Sequence, residues 1–374
     1  MRISNYFDRP LSAGRILIIQ LGDIGDVVWS LPAIGAIRDS YPQASVSVLL
    51  REGIGSLLNA QTLPLKTFEV RKGGGSFVKG LINSLLLVVS LRRERFDLVF
   101  DFRADERGGY MAFVTGAPVR AARYYALRGL RNHLFTHLVG LSGKPLQVGA
   151  ADQSLYILQA FGIETEDPVP KLRLSMEACL QAARILSSAG IPVSGGDKDS
   201  ARAPAEKRIR GRRWVTLNPF SRWSYKECSI EKWVQIINWL YEEFEIMSVI
   251  VGSSGEKKRA EEITGACPGR VFNMAGKTTV AELAGLLKFS RLHIGVDSAA
   301  PHIAAAVGTP TVTIYGPSDW RYWAPPGKRN HVVVSDMPCV PCSLKGCNGS
   351  GRSLCLETLE VEKMQGVIRE AISD

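Results

Sequence analysis

The sequence has no apolar run long enough to cross a bilayer, which takes about 18 to 20 residues. Its best apolar stretch, LINSLLLVVSL (residues 81–91), is shorter and contains Asn83 and Ser84. The opening segment MRISNYFDRPLSAGR lacks the apolar core of a signal peptide. The sequence therefore predicts a cytoplasmic chain without a transmembrane helix.

Several signatures of cofactor and catalytic sites are also missing. The loop LGDIGDVV offers Gly22 and Gly25 but not the Gly-x-Gly-x-x-Gly pattern, which argues against a nicotinamide or flavin site. Val271 stands where a P-loop ending in AGKTT would need glycine. No Gly-x-Ser-x-Gly elbow and no His-Glu-x-x-His helix occurs. We therefore expect no cofactor.

Length and charge set broader limits. A chain of 374 residues with 45% hydrophobic content can bury more than one core, so two domains are expected. The net charge of +10 indicates an anionic partner. Nucleic acid, phosphorylated substrates and acidic membrane surfaces all fit that charge, so the charge does not choose among them.

Short apolar runs that end in polar loops recur along the chain and predict β-strands. They are RILIIQL (15–21), ASVSVLL (44–50), FDLVFDF (96–102), WVTLNPF (214–220), IMSVIVGSSG (246–255), RLHIGVDS (291–298) and TPTVTIYGP (309–317). Helical patterns lie between them, which predicts parallel sheets with helices on both faces. Ligands of such sheets bind outside the carboxyl ends of the strands, where the polar loops lie.

One stretch, residues 191–213, is rich in Gly, Pro, Ser and charge and has no apolar period, which predicts a linker. We expect a first domain at residues 1–190 and a second at 214–356. Residues 357–374 should form a last helix that crosses back to the first domain.

Two long segments resemble the ADP-heptose:lipopolysaccharide heptosyltransferases, which are inverting glycosyltransferases of the GT-B fold. They are ILIIQLGDIGDVVWSLPAIGAIRDSYPQASVSVL and HIGVDSAAPHIAAAVGTPTVTIYGPSDWRYWAP. NPFSRWSYKECSIEKW and VGSSGEKKRAEEI lie where that family places its donor loops. The resemblance implies an α/β protein with two Rossmann-like, doubly wound parallel-sheet domains facing across a cleft. It also implies a monomer that binds no nucleic acid and transfers heptose from ADP-heptose to lipid A–core oligosaccharide.

The same resemblance assigns the reaction's base. Asp26 aligns with the family's proposed catalytic carboxylate, while Gly22 and Gly25 should let the loop turn sharply. Asp23 receives no role. The structural alternative for Asp26 is a helix N-cap.

Donor binding is assigned in the same way. In VDSAAPHIAAAVG, Pro301 lies near the first turn of an Ala-rich helix, whose free N–H groups would face a diphosphate. Lys226 resembles the diphosphate lysine and should replace a metal ion, so no metal is expected. Glu256 matches the carboxylate that accepts from the ribose, and MAGKTT, with Lys277, lies where adenine is read. The resemblance implies these donor residues: Ser221, Lys226, Glu256, Lys277, Asp297, Ser298, Ala299 and His302.

Each donor assignment has a structural alternative. Asp297 and Ser298 suit helix caps, Glu256 suits a helix first turn, and Lys226 alone reads as a solvated surface lysine. His302 is expected to shape the donor pocket, with general-base catalysis as the lesser alternative. His293 is expected to be structural.

Four of the seven cysteines cluster in CVPCSLKGCNGSGRSLC: Cys339, Cys342, Cys347 and Cys355. They suit either a structural metal centre or a reduced structural loop, and the spacing matches no standard zinc pattern well. Cys179, Cys228 and Cys267 are scattered and read as packing residues.

The segment SFVKGLINSLLLVVSLRRER predicts a helix buried against the first sheet, with basic residues at both ends. A peripheral contact with the cytoplasmic face of the inner membrane stays open, because the family's acceptor is lipid-anchored. Arginines that suit acceptor phosphates or acidic sugars are Arg103, Arg107, Arg120, Arg123 and Arg128. FDLVFDFRADERGGYMAFVTGA is closer to enzymes that add later core heptoses than to those that add the first.

Two other functions stay open at this point. A nucleotide-sugar 2-epimerase would share the GT-B architecture and convert the free nucleotide sugar without an acceptor. A basic protein that binds nucleic acid or an anionic membrane would explain the charge, but it predicts basic and aromatic patches rather than four strand-end loops.

Overall fold

The computed structural model describes residues 2–8, 13–71, 77–103, 105–126, 129–140, 149–193 and 214–373, with side chains in helix 77–93 described from residue 80 onward. The chain forms two compact units, Met1–Lys171 and Leu172–Asp374. Most of the predicted linker, residues 194–213, lies outside the described residues.

The first unit is built on a sheet of seven described strands, all paired in parallel. They are β1 (Arg2–Ser4), β2 (Arg15–Ile19), β3 (Ser45–Arg51), β4 (Lys66–Val70), β5 (Leu98–Asp101), β6 (Val119–Arg123) and β7 (His137–Val139). Their order across the sheet is β1-β7-β6-β5-β2-β3-β4. The central strands β2, β3 and β5 are almost wholly buried, as their apolar runs predict.

Helices connect these strands. They are α1 (Ile24–Trp29), α2 (Leu31–Ser40), α3 (Gly55–Asn59), α4 (Phe77–Arg93), α5 (Glu106–Thr115), α6 (Gly129–Asn132) and α7 (Asp152–Gln159), with a 3-10 turn at Gly149–Ala151. One face of the sheet packs into a core that includes Leu17, Leu91 and Phe135.

Helix α4 packs differently from the prediction. Leu91 is buried and Leu87 packs against the core, but Leu81, Ile82, Leu85 and Leu86 are exposed. The predicted burial against the first sheet therefore holds only for the side of the helix that carries Leu87 and Leu91. The sequence of an apolar helix does not show that only one of its faces packs against the sheet.

The second unit is built on six described strands, again all parallel. They are β8 (Trp214–Asn218), β9 (Met247–Ile250), β10 (Val271–Asn273), β11 (His293–Val296), β12 (Thr311–Tyr315) and β13 (Asn330–Val334), in the order β10-β9-β8-β11-β12-β13.

The helices of this unit cover both faces of its sheet. They are α8 (Met176–Ser188), α9 (Ile230–Phe244), α10 (Lys257–Ala266), α11 (Val280–Phe289), α12 (Ala299–Ala306), α13 (Trp320–Trp323), α14 (Leu354–Glu357) and α15 (Val361–Ser373). Short 3-10 turns occur at Ser224–Lys226, Ser254–Glu256 and Cys347–Gly349. One core contains Trp233 and Ile237, and a second contains Trp214 and Leu286.

Two elements lie elsewhere than the expected domain boundaries imply. Helix α8 packs against α11, and Gly285 approaches Ala182 so closely that a Cβ there would lie 2.5 Å from the alanine Cβ. Helix α15 packs against β12, β13 and α9, with Met364 and Ile368 fully buried in that core. Both helices therefore belong to the second unit, although residues 176–188 were expected in the first domain. The expected contact of α15 with the first domain stays a prediction.

Both sheets share one strand order. In each, two strands are added outward from a starting strand, and the chain then returns to the other side of that strand, with β1 as an additional edge strand of the first sheet. The reversal places β2 beside β5 in the first sheet and β8 beside β11 in the second. Such switch points open a crevice at the carboxyl ends of the strands. None of the described helices is both long and apolar enough for a membrane span.

Candidate active site

The loop after β2 carries the predicted base. Asp23, not Asp26, is the N-cap of α1, and the Asp26 side chain in the first turn accepts the Asp23 N–H at 2.7 Å. The expectation that Asp26 opens the helix is therefore wrong, as is the loop role of Gly25, which lies inside α1. The reciprocal pairing of residues at N-cap and N3 is a capping box, and it holds the Asp26 carboxylate over the strand end.

Gly22 is required by close approach. A Cβ on Gly22 would lie 2.7 Å from the Asp26 carboxyl carbon. Only glycine leaves room for the carboxylate to fold back over the loop. The predicted need for glycine at position 22 of this loop therefore has a steric explanation.

Arg103 completes this part of the site. It follows β5 on the other side of the switch point, and its Nη1 lies 2.9 Å from Asp26 Oδ2. Its own N–H donates to Asp101 Oδ1 at 3.1 Å, which fixes the arginine backbone to the end of β5. On the opposite side, Arg51 at the end of β3 pairs with Asp23. Each aspartate of the loop therefore has its own arginine.

These surroundings change the acidity of Asp26. Burial raises the pKa of Asp26 above its ordinary value, while Arg103 and the Asp23 N–H oppose the rise. A carboxylate with a raised pKa is a stronger base than an exposed aspartate.

The second charged cluster lies at the switch point of the second sheet. Lys226, in the turn after β8, places Nζ 2.6 Å from Oδ2 of Asp297, which is buried at the end of β11. Ser221 Oγ donates to the Asp297 carbonyl at 3.4 Å. Since a carboxylate repels a diphosphate, the geometry favours a role for Asp297 in orienting Lys226 rather than in contacting phosphate.

Helix α12 begins beside this lysine. Ser298 is its N-cap, and Asn218 Nδ2 at the end of β8 donates to Ser298 Oγ at 3.0 Å. The first N–H groups of a helix have no acceptor within the helix, and Pro301 in the first turn has no N–H. The N–H groups of Ser298 and Ala299 and the positive helix end are thus suited to an anion.

A second ion pair stabilises the loop that carries Lys226. Glu227 is paired with Arg259 of α10, and its Oε1 also accepts the Ser221 N–H at 2.7 Å. The Arg259 guanidinium lies 4.9 Å from the centre of the Phe220 ring. Sequence reasoning does not single out Asn218, Glu227 or Arg259. For Asn218 the sequence does offer a signal, because it is a polar residue that ends an apolar strand at a switch point.

The two loops predicted to bind the nucleotide, which carry Glu256 and Lys277, are in contact. Glu256 accepts the Ser253 N–H as part of a capping box, which is its structural alternative. Gly276, with a φ of 73°, approaches Ser254 so closely that a Cβ would lie 2.8 Å from the serine Cα. Lys277 is exposed beside this contact. Glu256 and Lys277 are therefore on adjoining loops.

Neither conspicuous histidine is suited to carry a proton near neutral pH. Burial lowers the pKa of His302 to about 4, with Asp297 opposing and Lys226 adding to the shift. Burial lowers the pKa of His293 to about 3, and its Nδ1 lies 3.0 Å from Thr216 Oγ1 in the neighbouring strand. His293 therefore fits its expected structural place, and His302 lies in the first turn of α12 beside the lysine site.

The cysteine segment packs against the lysine loop. Ser353 Oγ donates to the Tyr225 carbonyl at 2.7 Å, and Ser224 Oγ donates to the Gly351 carbonyl at 3.0 Å. Burial raises the pKa of Cys355 to about 11, with Cys342 and its neighbouring thiols adding to the rise. All seven cysteines are free, and the described residues contain no group of three or more metal-ligating side chains arranged to hold a metal ion.

The arginines predicted to contact the acceptor differ in their surroundings. Arg120 is bound to backbone carbonyls, with Nε 2.9 Å from the Leu134 oxygen, which gives it a structural role. Arg107 is exposed and Arg123 lies 5.1 Å from the Tyr125 ring centre. Arg128 lies outside the described residues.

The chain is similar to known proteins of one family. Residues 85–351 match glycosyltransferase family 9 (heptosyltransferase). Lipopolysaccharide heptosyltransferase 3 of Escherichia coli K12 is 26% identical over 306 residues, which cover 80% of this chain and 82% of that protein.

Solved structures share the fold. The glycosyl transferase family 9 structure from Veillonella parvula DSM 2008 has a TM-score of 0.76 and 19% identity, covering 99% of both chains. The E. coli ADP-heptose heptosyltransferase II structure has a TM-score of 0.71 and 18% identity, covering 96% of this chain and 98% of that one.

The two parallel sheets with charged loops at their switch points have the GT-B fold. The family match over residues 85–351 makes the chain a glycosyltransferase. More narrowly, it belongs to glycosyltransferase family 9, the heptosyltransferases.

The buried His302 makes stability depend on pH. Its pKa is lower in the folded than in the unfolded chain, so the unfolded state binds more protons as the pH falls below about 6.5. We expect His302 to remove on the order of 2 kcal/mol of unfolding free energy between about pH 7 and about pH 5. Urea denaturation should show a smaller acid loss for His302→Gln than for the wild type. Equal losses would mean that His302 titrates normally in the folded protein.

Proposed function

We propose that this enzyme transfers heptose from ADP-heptose to a hydroxyl of the lipopolysaccharide core, with inversion and without a metal. The observation that carries the proposal is the convergence of Lys226, the α12 N-terminus and Asn218 at the switch point of the second sheet. A cation beside free helix N–H groups suits the diphosphate of a nucleotide sugar. The names of the similar proteins supply the sugar and the acceptor.

In the proposed donor complex, Lys226 and the N–H groups of Ser298 and Ala299 hold the diphosphate. Glu256 and the loop around Lys277 hold the ribose and adenine ends. Ser221 and His302 shape the pocket, and Asp297 keeps the lysine in place. As ADP departs, the lysine charge and the helix end stabilise the negative charge that grows on the leaving oxygen.

Asp26 is the proposed base. One oxygen of its carboxylate takes the proton of the acceptor hydroxyl while the hydroxyl oxygen forms a bond to the anomeric carbon. The bond from that carbon to the phosphate oxygen breaks, and its electron pair leaves with ADP. Attack from the face opposite ADP inverts the anomeric centre. Burial favours proton uptake by Asp26, and Arg103 keeps the carboxylate ionised before the proton arrives.

The acceptor is proposed to be a core that already contains heptose. The relative of 26% identity is named lipopolysaccharide heptosyltransferase 3, whereas a heptosyltransferase 1 from Pseudomonas aeruginosa is 21% identical over 340 residues. This agrees with the sequence of the segment around β5. A later heptose is therefore favoured over the first.

Incubation of the purified protein with ADP-heptose, with and without lipid A–core acceptors, tests the function. We expect ADP release that requires an acceptor and is fastest when that acceptor already carries heptose. Conversion of the nucleotide sugar without an acceptor would instead identify a 2-epimerase. Absence of both reactions would contradict the proposal.

Asp26→Asn tests the base. The amide keeps the shape of the carboxylate and can still accept the Asp23 N–H, so we expect a melting temperature within a few degrees of the wild type. Donor binding should be retained, and turnover should fall by ~10²- to 10⁴-fold because no group takes the proton.

Asp23→Asn is the matched control, because it removes a charge from the same loop and asparagine is an equally good N-cap. We expect it to stay within about tenfold of the wild-type turnover, well above the loss expected for Asp26→Asn. If Asp26→Asn is as active as the wild type, or fails only through unfolding, the carboxylate has only a capping role and the base lies elsewhere.

Lys226→Ala tests charge stabilisation of the leaving group. We expect at least a ~10²-fold loss of turnover, the scale of removing one preorganised charged group. Wild-type activity should survive EDTA, since the lysine and helix end supply the positive charge.

Lys345→Ala is the control for Lys226→Ala, because Lys345 is exposed and lies near Trp223 of the same loop. It should be as active as the wild type. Loss of wild-type activity in EDTA, or an unaffected Lys226→Ala, would refute the metal-free mechanism.

A further inference from the structure

Helix α4 presents an apolar face to solvent. Leu81, Ile82, Leu85 and Leu86 are 62%, 51%, 62% and 58% exposed, respectively. Their spacing places all four on one side of the helix, because residues three and four apart share a face. These four residues are called the α4 apolar face below.

The opposite side of α4 is already used. Leu91 is fully buried and Leu87 packs against the core of the first unit. A helix that is apolar all round is normally buried all round. The α4 apolar face is therefore not part of the core of the first unit. Clustered exposed apolar side chains of this kind mark contact surfaces.

The charged residues of α4 itself have one sign. Arg71 is exposed, and its Nη1 lies 3.4 Å from Asn83 Oδ1 on α4. Arg92 and Arg93 are exposed at the C-terminal end of the helix. The segment 77–93 contains no aspartate or glutamate. An apolar stripe with these exposed cations beside it is complementary to a surface that is anionic outside and apolar beneath.

We propose that the α4 apolar face docks this enzyme on an anionic phospholipid membrane. The leucine and isoleucine side chains enter the acyl region, and the flanking arginines remain at the level of the lipid phosphates. A second copy of this chain fits the face less well, because a two-fold contact through α4 would bring equal positive charges together. The docking itself does not rest on the proposed function, although a lipid-anchored acceptor would give it a purpose.

Vesicle flotation with the full chain tests the docking. We expect binding to vesicles of equimolar phosphatidylethanolamine and phosphatidylglycerol, weaker binding as salt is added, and no binding to phosphatidylcholine vesicles. Ile82→Glu with Leu86→Glu should weaken binding by at least ~10-fold, because it replaces inserted side chains with charges that the lipid surface repels.

Met176→Glu with Leu180→Glu is the matched control. These residues are 75% and 52% exposed and have the same four-residue spacing on α8 of the second unit. The control should bind vesicles as the wild type does. Both double variants should keep the wild-type melting temperature, since all four positions are exposed.

Turnover with a soluble, deacylated core acceptor separates docking from catalysis. Both double variants should match the wild type in this assay, so a failure of the proposed sugar transfer would leave the vesicle result standing. The docking proposal is overturned if the wild type does not bind anionic vesicles or if the α4 variant binds as tightly as the wild type. It is also overturned if both double variants lose binding equally. Sedimentation that shows a dimer dissociated by the α4 substitutions, without vesicle binding, would assign the face to a second copy.

Discussion

Both charged clusters of this enzyme depend on one topological constraint, the reversal of strand order within each sheet. Parallel strands need crossover connections, and such connections are right-handed, so the chain can continue a sheet on its other side only by returning past the starting strand. In the first sheet the return places the Asp26 loop beside Arg103. In the second it places the Lys226 loop beside Asp297. Both charge pairs follow from the same path of the backbone.

The two pairs use opposite arrangements of charge. In the first unit a carboxylate is proposed to take a proton and an arginine restrains it, whereas in the second a lysine is proposed to bind the diphosphate and a carboxylate restrains it. A partly buried ion without a partner would be costly. The Asp26 carboxylate also accepts the Asp23 N–H. The resting protein thus holds its reactive groups in place without leaving a buried charge unpaired in either cluster.

The sequence predicted the central strands well, because β2, β3, β5, β8, β9, β11 and β12 are apolar runs that end in polar loops. It missed six strands, all short or of mixed burial: β1, β4, β6, β7, β10 and β13. Four of these, β1, β4, β10 and β13, are at the sheet edges. It also missed the pairing of Asp26 with Arg103, since these residues are 77 positions apart and meet only after the sheet forms. The N-cap was misassigned because either aspartate of the loop suits that position by residue type.

The space above Gly22 also limits how this loop can change over evolution. Every other amino acid brings a Cβ, and the place for that atom is already occupied by the Asp26 carboxylate. A missense change at this codon would therefore push aside the proposed base before it altered anything else. The glycine is tied to the carboxylate by excluded volume, so neutral drift at one position is blocked for as long as the other is retained.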